Sequence, residues 1–268
     1  MSDPSHRTWP PAGGWPPPGV EIIEGAEPWS AEGGPHGVLV VHGFTGNVAS
    51  VRGLAEAFAA AGYAVSAPLL PGHGTTVADL AACTWDDWYG AALEAYRDLA
   101  GEVDRVVVAG LSMGGSITAL LAADHPEIAG IVCINPAIAP SIEMLAALDA
   151  LEESGQEYMA GIGSDIAKEG VVESAYDDTP VRALRSMIHA ADDQLDRLSD
   201  IRCPVMIMTS PDDHVVPASD SDHLAAAVSG PVERLSLDRS YHVATMDHDK
   251  ELIEEESVAF ANRVTGPG

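Results

Sequence analysis

Short, mostly apolar runs recur along the chain at residues 37–41 (Gly-Val-Leu-Val-Val), 63–67, 105–109, 130–134 and 204–210, and a further strand is expected at 233–237 (Glu-Arg-Leu-Ser-Leu). Most are too continuous for a strand with one wet face and too short for a helix, so they predict strands buried on both faces. Between them the period changes. Leu54 and Phe58 lie four apart in a segment stopped by Gly62, and Trp85, Trp88, Ala92, Tyr96 and Leu99 form a stripe at helical spacing over 84–100. Ile117, Leu120 and Leu121 mark another helix, a further one is expected over about 219–228, and Ile253, Phe260 and Val264 share one face of a last. Strand and helix in alternation predict an α/β protein with a mostly parallel sheet and helices on both faces. Residues 21–24 (Glu-Ile-Ile-Glu) read as a short edge strand.

The rhythm breaks between about 139 and 200, where helical patterns occur and no strand is expected. Ile142, Leu145 and Leu151 stand near helical spacing. Thr179-Pro180 reads as an N-cap followed by a first-turn proline, leading Val181, Leu184, Ile188, Leu195 and Leu198 along one face. A helical block between two sheet strands reads most simply as a cap over the strand ends, the alternative being extra packing on the side of the domain. The expected organisation is a Pro/Gly-rich tail over 1–19, with Trp9 and Trp15 docking on the surface, a core over 20–138 and 201–268, and a small helical cap over 139–200, inserted after the sixth strand.

One junction carries chemistry. The apolar run ending at Ala109 enters Gly110-Leu111-Ser112-Met113-Gly114, a G-x-S-x-G pattern followed at once by the helix of Ile117. Strand, glycine-flanked serine, helix is the context of a nucleophile elbow, in which a strained turn stands the hydroxyl clear of the strand ends. A serine hydroxyl is a poor nucleophile unless a base lies within reach and a third group orients that base. Of the ten histidines, His242 stands in the loop between the last strand and the last helix, the slot for the base. Asp212 and Asp213 both follow the penultimate strand; Asp213 is preferred because it stands just before the turn into the next helix. The order Ser112, Asp213, His242 is that expected of α/β-hydrolases. The N–H groups of Met113 and of Phe44, in the loop after the 37–41 strand, are expected to form an oxyanion hole, and His42 to brace that loop.

Composition narrows the partners. With 41 acidic and 13 basic residues the formal charge is −28, a field that disfavours nucleic acid and anionic membrane surfaces. Salt adaptation and an arginine-over-lysine coding bias both fit it. No run of 18 apolar residues is present to span a membrane, and the opening residues, with no basic region followed by an apolar core, lead us to expect no signal peptide. Cys83, Cys133 and Cys203 are far apart and fit no metal spacing, which favours free thiols and a cytoplasmic enzyme. No metal cluster, phosphate-cradling loop or dinucleotide fingerprint is found, so no cofactor is expected.

The motifs His42-Gly43-Phe44-Thr45-Gly46, Pro71-Gly72-His73-Gly74, Gly110-Leu111-Ser112-Met113-Gly114-Gly115, Asp213-His214-Val215-Val216-Pro217 and Ser240-Tyr241-His242-Val243 together resemble the bacterial carboxylesterase/monoacylglycerol lipase family of α/β-hydrolases, over about residues 20–264. The resemblance implies an α/β-hydrolase fold and a cap-covered apolar tunnel. It implies hydrolysis of short-to-medium acyl esters, monoacylglycerols included, with Ser112 as nucleophile, Asp213 as acid, His242 as base and Phe44 and Met113 as oxyanion donors. Two features depart from the family: Tyr241 where glycine is expected, and the Pro-rich tail. A thioesterase, peptidase or perhydrolase using the same triad, and a receptor-like relative with slow turnover, remain open at this point.

Overall fold

The computed structural model describes residues 15–139, 141–161 and 163–266. Seven strands form one sheet: β1 (Trp29–Ala31), β2 (His36–Val41), β3 (Ala64–Ala67), β4 (Arg105–Leu111), β5 (Gly130–Ile134), and, beyond an insertion, β8 (Val205–Thr209) and β9 (Val232–Ser236). Their order is β1-β3-β2-β4-β5-β8-β9. All neighbours pair in parallel except β1, which runs antiparallel to β3.

The inner strands β2, β4, β5 and β8 are almost continuously apolar because the sheet is covered there on both sides, and the period of two shows in which layer each residue joins. Leu39, Val41, Val106, Val108, Ile131, Cys133, Val205 and Ile207 pack with α3 (Trp85–Ala100), α4 (Met113–Asp124) and Leu224 of α7 (Ala218–Ala227). Their alternates Val38, Val40, Val107, Ala109, Val132, Ile134, Met206 and Met208 pack with Leu54 and Phe58 of α1 (Arg52–Ala60) and Ile253 and Phe260 of α8 (Lys250–Thr265). Helix α4 is buried all round from Met113 to Ala122. It is wedged between the sheet and the insertion, which accounts for its lack of a polar face.

The insertion carries α5 (Ile142–Glu153), β6 (Tyr158–Ala160), β7 (Asp178–Pro180) and α6 (Val181–Gln194). It follows β5, the fifth strand of the described chain rather than the sixth. Among the described residues one strand, Trp29–Ala31, precedes β2, and residues 21–24 form none; Ile23 instead donates its N–H to Gly74 O at 2.8 Å. The expectation that 139–200 holds no strand is also corrected. β6 and β7 pair antiparallel, Tyr158 with Pro180 and Ala160 with Asp178. Pro180 ends β7 with extended dihedrals (φ −69°, ψ 121°), so it occupies the N-cap of α6 and not its first turn. Of the tail, residues 1–14, Trp9 among them, lie outside the described residues. The Trp15 indole donates to His73 O at 3.1 Å.

Candidate active site

Ser112 sits between β4 and α4 at φ 55°, ψ −119°, a left-handed backbone that a non-glycine residue adopts only when its surroundings impose it. The two glycines of the pattern make that possible. A Cβ on Gly110 would lie 2.1 Å from Gly114 O, and one on Gly114 would lie 2.2 Å from Val41 O. The turn can therefore close only where both side chains are missing, and it thereby presses against β2. The Ser112 N–H is held by Ile134 O at 3.0 Å.

The residues expected as base and acid meet across two loops. His242 Nδ1 lies 2.7 Å from Asp213 Oδ2, with side chains only 9% and 2% exposed. Asp213 Oδ1 accepts the N–H groups of Val215 and Val216, both at 2.8 Å, so the carboxylate is turned by its own loop toward the imidazole. Asp212, the alternative acid, is exposed. The backbone of His242 is clamped as well: its N–H donates to Asp165 Oδ2 at 3.0 Å and its C=O accepts from Asn135 Nδ2 at 2.8 Å. Asn135 also fastens the acid loop, accepting the Ser210 N–H at 2.8 Å.

His242, Ser112 and Phe44 line one cavity of about 460 Å³. Its apolar wall comes largely from the insertion (Met144, Met159, Leu184, Met187, Ile188) with Val216 and Val243 from the core. Two carboxyl groups face the same space. Glu173 is pushed above the usual carboxylate range by loss of surrounding water, partly offset by the attraction of His242 and a hydrogen bond from Ser50. A Cβ on Gly46 would come within 2.6 Å of its Oε1, so a side chain there would displace it. Asp220 is likewise raised by burial, although its Oδ2 accepts the N–H groups of Ile138 (2.7 Å) and Ala139 (2.9 Å). A larger groove of about 560 Å³, between β1, β3 and α3, is lined by Glu32, Asp98 and Glu102 with neither nucleophile nor base.

The loop after β2 is rigid for identifiable reasons. His42 is fully buried, donates from Nδ1 to Gly43 O (2.9 Å) and accepts the Leu70 N–H at Nε2 (3.0 Å), and burial lowers its pKa to about 4. It is thus a neutral brace. His73, 5.0 Å away ring to ring, is held well below the usual histidine value by burial. The Phe44 ring lies 5.4 Å from Trp88 and 6.1 Å from His73, which fixes the backbone that carries its N–H. Met113 is the first residue of α4, where an N–H has no acceptor inside the helix.

Sequence reading overlooked Glu173, Asp165, Asp220, Asn135 and Asp247. Only Asn135, directly after a buried strand and before a proline, carried a local signal. Tyr241, which replaces the glycine expected there, meets the His214 ring edge-on at 4.6 Å. Among the described residues no group of three or more His, Cys, Asp or Glu side chains is arranged to hold a metal, and no helix is long and apolar enough to cross a membrane.

The chain is similar to several known proteins. The family model described as serine aminopeptidase, S33 matches residues 35–249. A thermostable monoacylglycerol lipase of Bacillus sp. (strain H-257) is 42% identical over 248 residues, 91% of this chain and 98% of that protein. A carboxylesterase of Bacillus subtilis (strain 168) is 25% identical over 242 residues, 89% of this chain and 97% of the other. Among solved structures, one from the work on LipS and LipT, two metagenome-derived lipolytic enzymes, superposes with a TM-score of 0.87 at 44% identity, covering 91% of this chain and 100% of that one.

Proposed function

The chain belongs to the serine aminopeptidase S33 family of α/β-hydrolases, and from that premise we propose that it hydrolyses carboxylic esters, monoacylglycerols among them, through an acyl-enzyme on Ser112. The observation that carries the reading is one cavity lined by both Ser112 and His242, the latter paired to Asp213, with a wall made mostly of aliphatic side chains and methionines. An apolar wall removes an acyl chain from water and gives no purchase to a charged one.

Ser112 Oγ attacks the ester carbonyl carbon as His242 Nε2 takes the hydroxyl proton. Asp213 holds the proton on Nδ1, which leaves Nε2 free as the base and stabilises the imidazolium that forms. The carbonyl oxygen becomes an oxyanion, held by the N–H groups of Met113 and Phe44. Collapse expels the alcohol, which takes the proton from His242 and leaves the acyl group on Ser112. A water then attacks the acyl carbon with His242 again as base, and the carboxylic acid leaves. We assign the alcohol to the neighbourhood of Glu173, one of the two carboxyl groups facing the cavity, which can accept hydroxyl groups of a polyol such as glycerol.

The three cysteines are unpaired, and burial pushes Cys83 up to about 12 and Cys203 up to about 11, so both stay protonated at neutral pH. Free, unreactive thiols suit the cytoplasm.

Release of free acid from 1-monoacylglycerols and from p-nitrophenyl esters of two to sixteen acyl carbons tests the reading. Turnover of about 1 s⁻¹ or more on a monoacylglycerol is expected. No turnover anywhere on the panel would overturn it.

A further inference from the structure

The loops that carry the acid and the base leave different strands, β8 and β9, and a residue of the insertion spans them. Asp165 Oδ2 accepts the N–H of His242 (3.0 Å) and the N–H of His214 (3.1 Å), while Oδ1 lies 2.8 Å from His214 Nδ1. The Asp165 carbonyl accepts the N–H of Val243 at 3.1 Å. His214 directly follows Asp213, so one side chain holds the backbone beside the acid and the backbone of the base itself.

The contact is reciprocated. Asp247, fully buried in the loop after His242, accepts the N–H groups of Ala167 (2.6 Å) and Lys168 (2.8 Å) from the insertion and of Tyr241 (2.9 Å) beside the base. The stretch around residues 165–168 is therefore stitched into the floor of the site from both directions. The edge-on packing of His214 against Tyr241 closes the same junction.

We propose that Asp165 is a positioning residue for ester hydrolysis, fixing the His242 and Asp213–His214 backbones relative to one another so that base and acid meet in register with Ser112. The inference rests on the triad reading above. Asp165 does not itself line the cavity and meets His242 only through its backbone N–H, so its effect runs through the placement of His242 and belongs in kcat; displacement of a catalytic group by about 1 Å costs on the order of 10²-fold. Asparagine can preserve the arrangement: its oxygen accepts both N–H groups, and its amide can donate to a neutral His214 Nδ1.

The test is steady-state hydrolysis of a monoacylglycerol by wild type, Asp165→Ala and Asp165→Asn, with Ser112→Ala as the blank. The expected result is a kcat reduced about 10–100-fold in Asp165→Ala at a KM within about twofold of wild type, restored to within about fivefold of wild type by Asp165→Asn. A wild-type kcat in Asp165→Ala, a loss confined to KM, or an asparagine variant no better than alanine would overturn the proposal. If Asp165→Ala does not fold, Asp165→Glu decides, since it keeps the charge and shifts the carboxylate. A kcat loss of about tenfold or more at unchanged KM supports positioning, and a wild-type kcat overturns it. An inactive wild type would instead sink the ester-hydrolase reading beneath it.

Discussion

His242 Nδ1 and Asp213 Oδ2 stand 2.7 Å apart, and the second oxygen of Asp213 is engaged by the N–H groups of Val215 and Val216. Neither oxygen can turn away without breaking a contact, so the imidazole sees a fixed acceptor. Replacing Asp213 by Asn offers His242 Nδ1 an amide that can stabilise the wrong tautomer. A kcat about 10⁴-fold below wild type is expected, as in the corresponding substitution of a serine protease. Asp212→Asn, one residue earlier and exposed, should leave kcat within about twofold. Ester hydrolysis by the two variants side by side measures the contrast.

The elbow depends on missing side chains. A Cβ on Gly110 would meet Gly114 O at 2.1 Å, whereas Gly90 inside α3 has nothing within 4 Å of its Cβ position. Gly110→Ala should lower stability by about 3 kcal/mol or prevent folding. Gly90→Ala should raise it by about 0.5–1 kcal/mol through the unfolded state and helix propensity. Urea unfolding of both variants checks the pair of signs.

Much of this architecture was legible along the chain because its signals are local. The run from Val106 to Ala109 entering Gly-Leu-Ser-Met-Gly announces a buried strand and a strained turn within ten residues, and the Asp213 and His242 loops are marked by the strands before them. What escaped notice depends on contacts between distant residues. Asp165 meets His242 across 77 positions and Asp247 meets Ala167 across 80, and neither aspartate differs locally from a surface acid. β6 and β7 are three residues each and exist because they pair with one another, not because of any internal period. Ile22 and Ile23 looked like a strand, yet the edge is formed by Trp29–Ala31.

Glu173 should matter for some alcohols and not others. On the proposed reading glycerol hydroxyls donate to its carboxyl, a contact that Glu173→Ala removes, while a p-nitrophenyl leaving group has no hydroxyl to lose. kcat/KM on a monoacylglycerol is expected to fall about tenfold or more, with p-nitrophenyl ester hydrolysis unchanged within about twofold. Equal effects on both substrates would remove Glu173 from the alcohol side.

Acid should weaken the fold through buried histidines. The pKa of His42 is about 4 in the folded chain against an ordinary value of 6.5, and His73 is lowered too. Between those values the unfolded chain binds more protons, so stability is fully present above about pH 6.5 and is lost as pH falls towards 4. The contribution from His42 is about 3 kcal/mol. Glu173 and Asp220, raised by burial, act in the opposite sense and gain stability as they protonate. Urea midpoints should therefore decline from pH 6.5 to 4, and less steeply in His42→Gln, whose side-chain oxygen can still accept the Leu70 N–H.

The proposed chemistry passes through one hydroxyl, that of Ser112. Hydrolysis of a medium-chain monoacylglycerol by wild type and by Ser112→Ala therefore tests the assignment most directly. Loss of about 10⁴-fold or more in kcat, in a variant whose unfolding midpoint matches wild type, is the expected result. Turnover by Ser112→Ala within about tenfold of wild type would contradict it and move the nucleophile elsewhere.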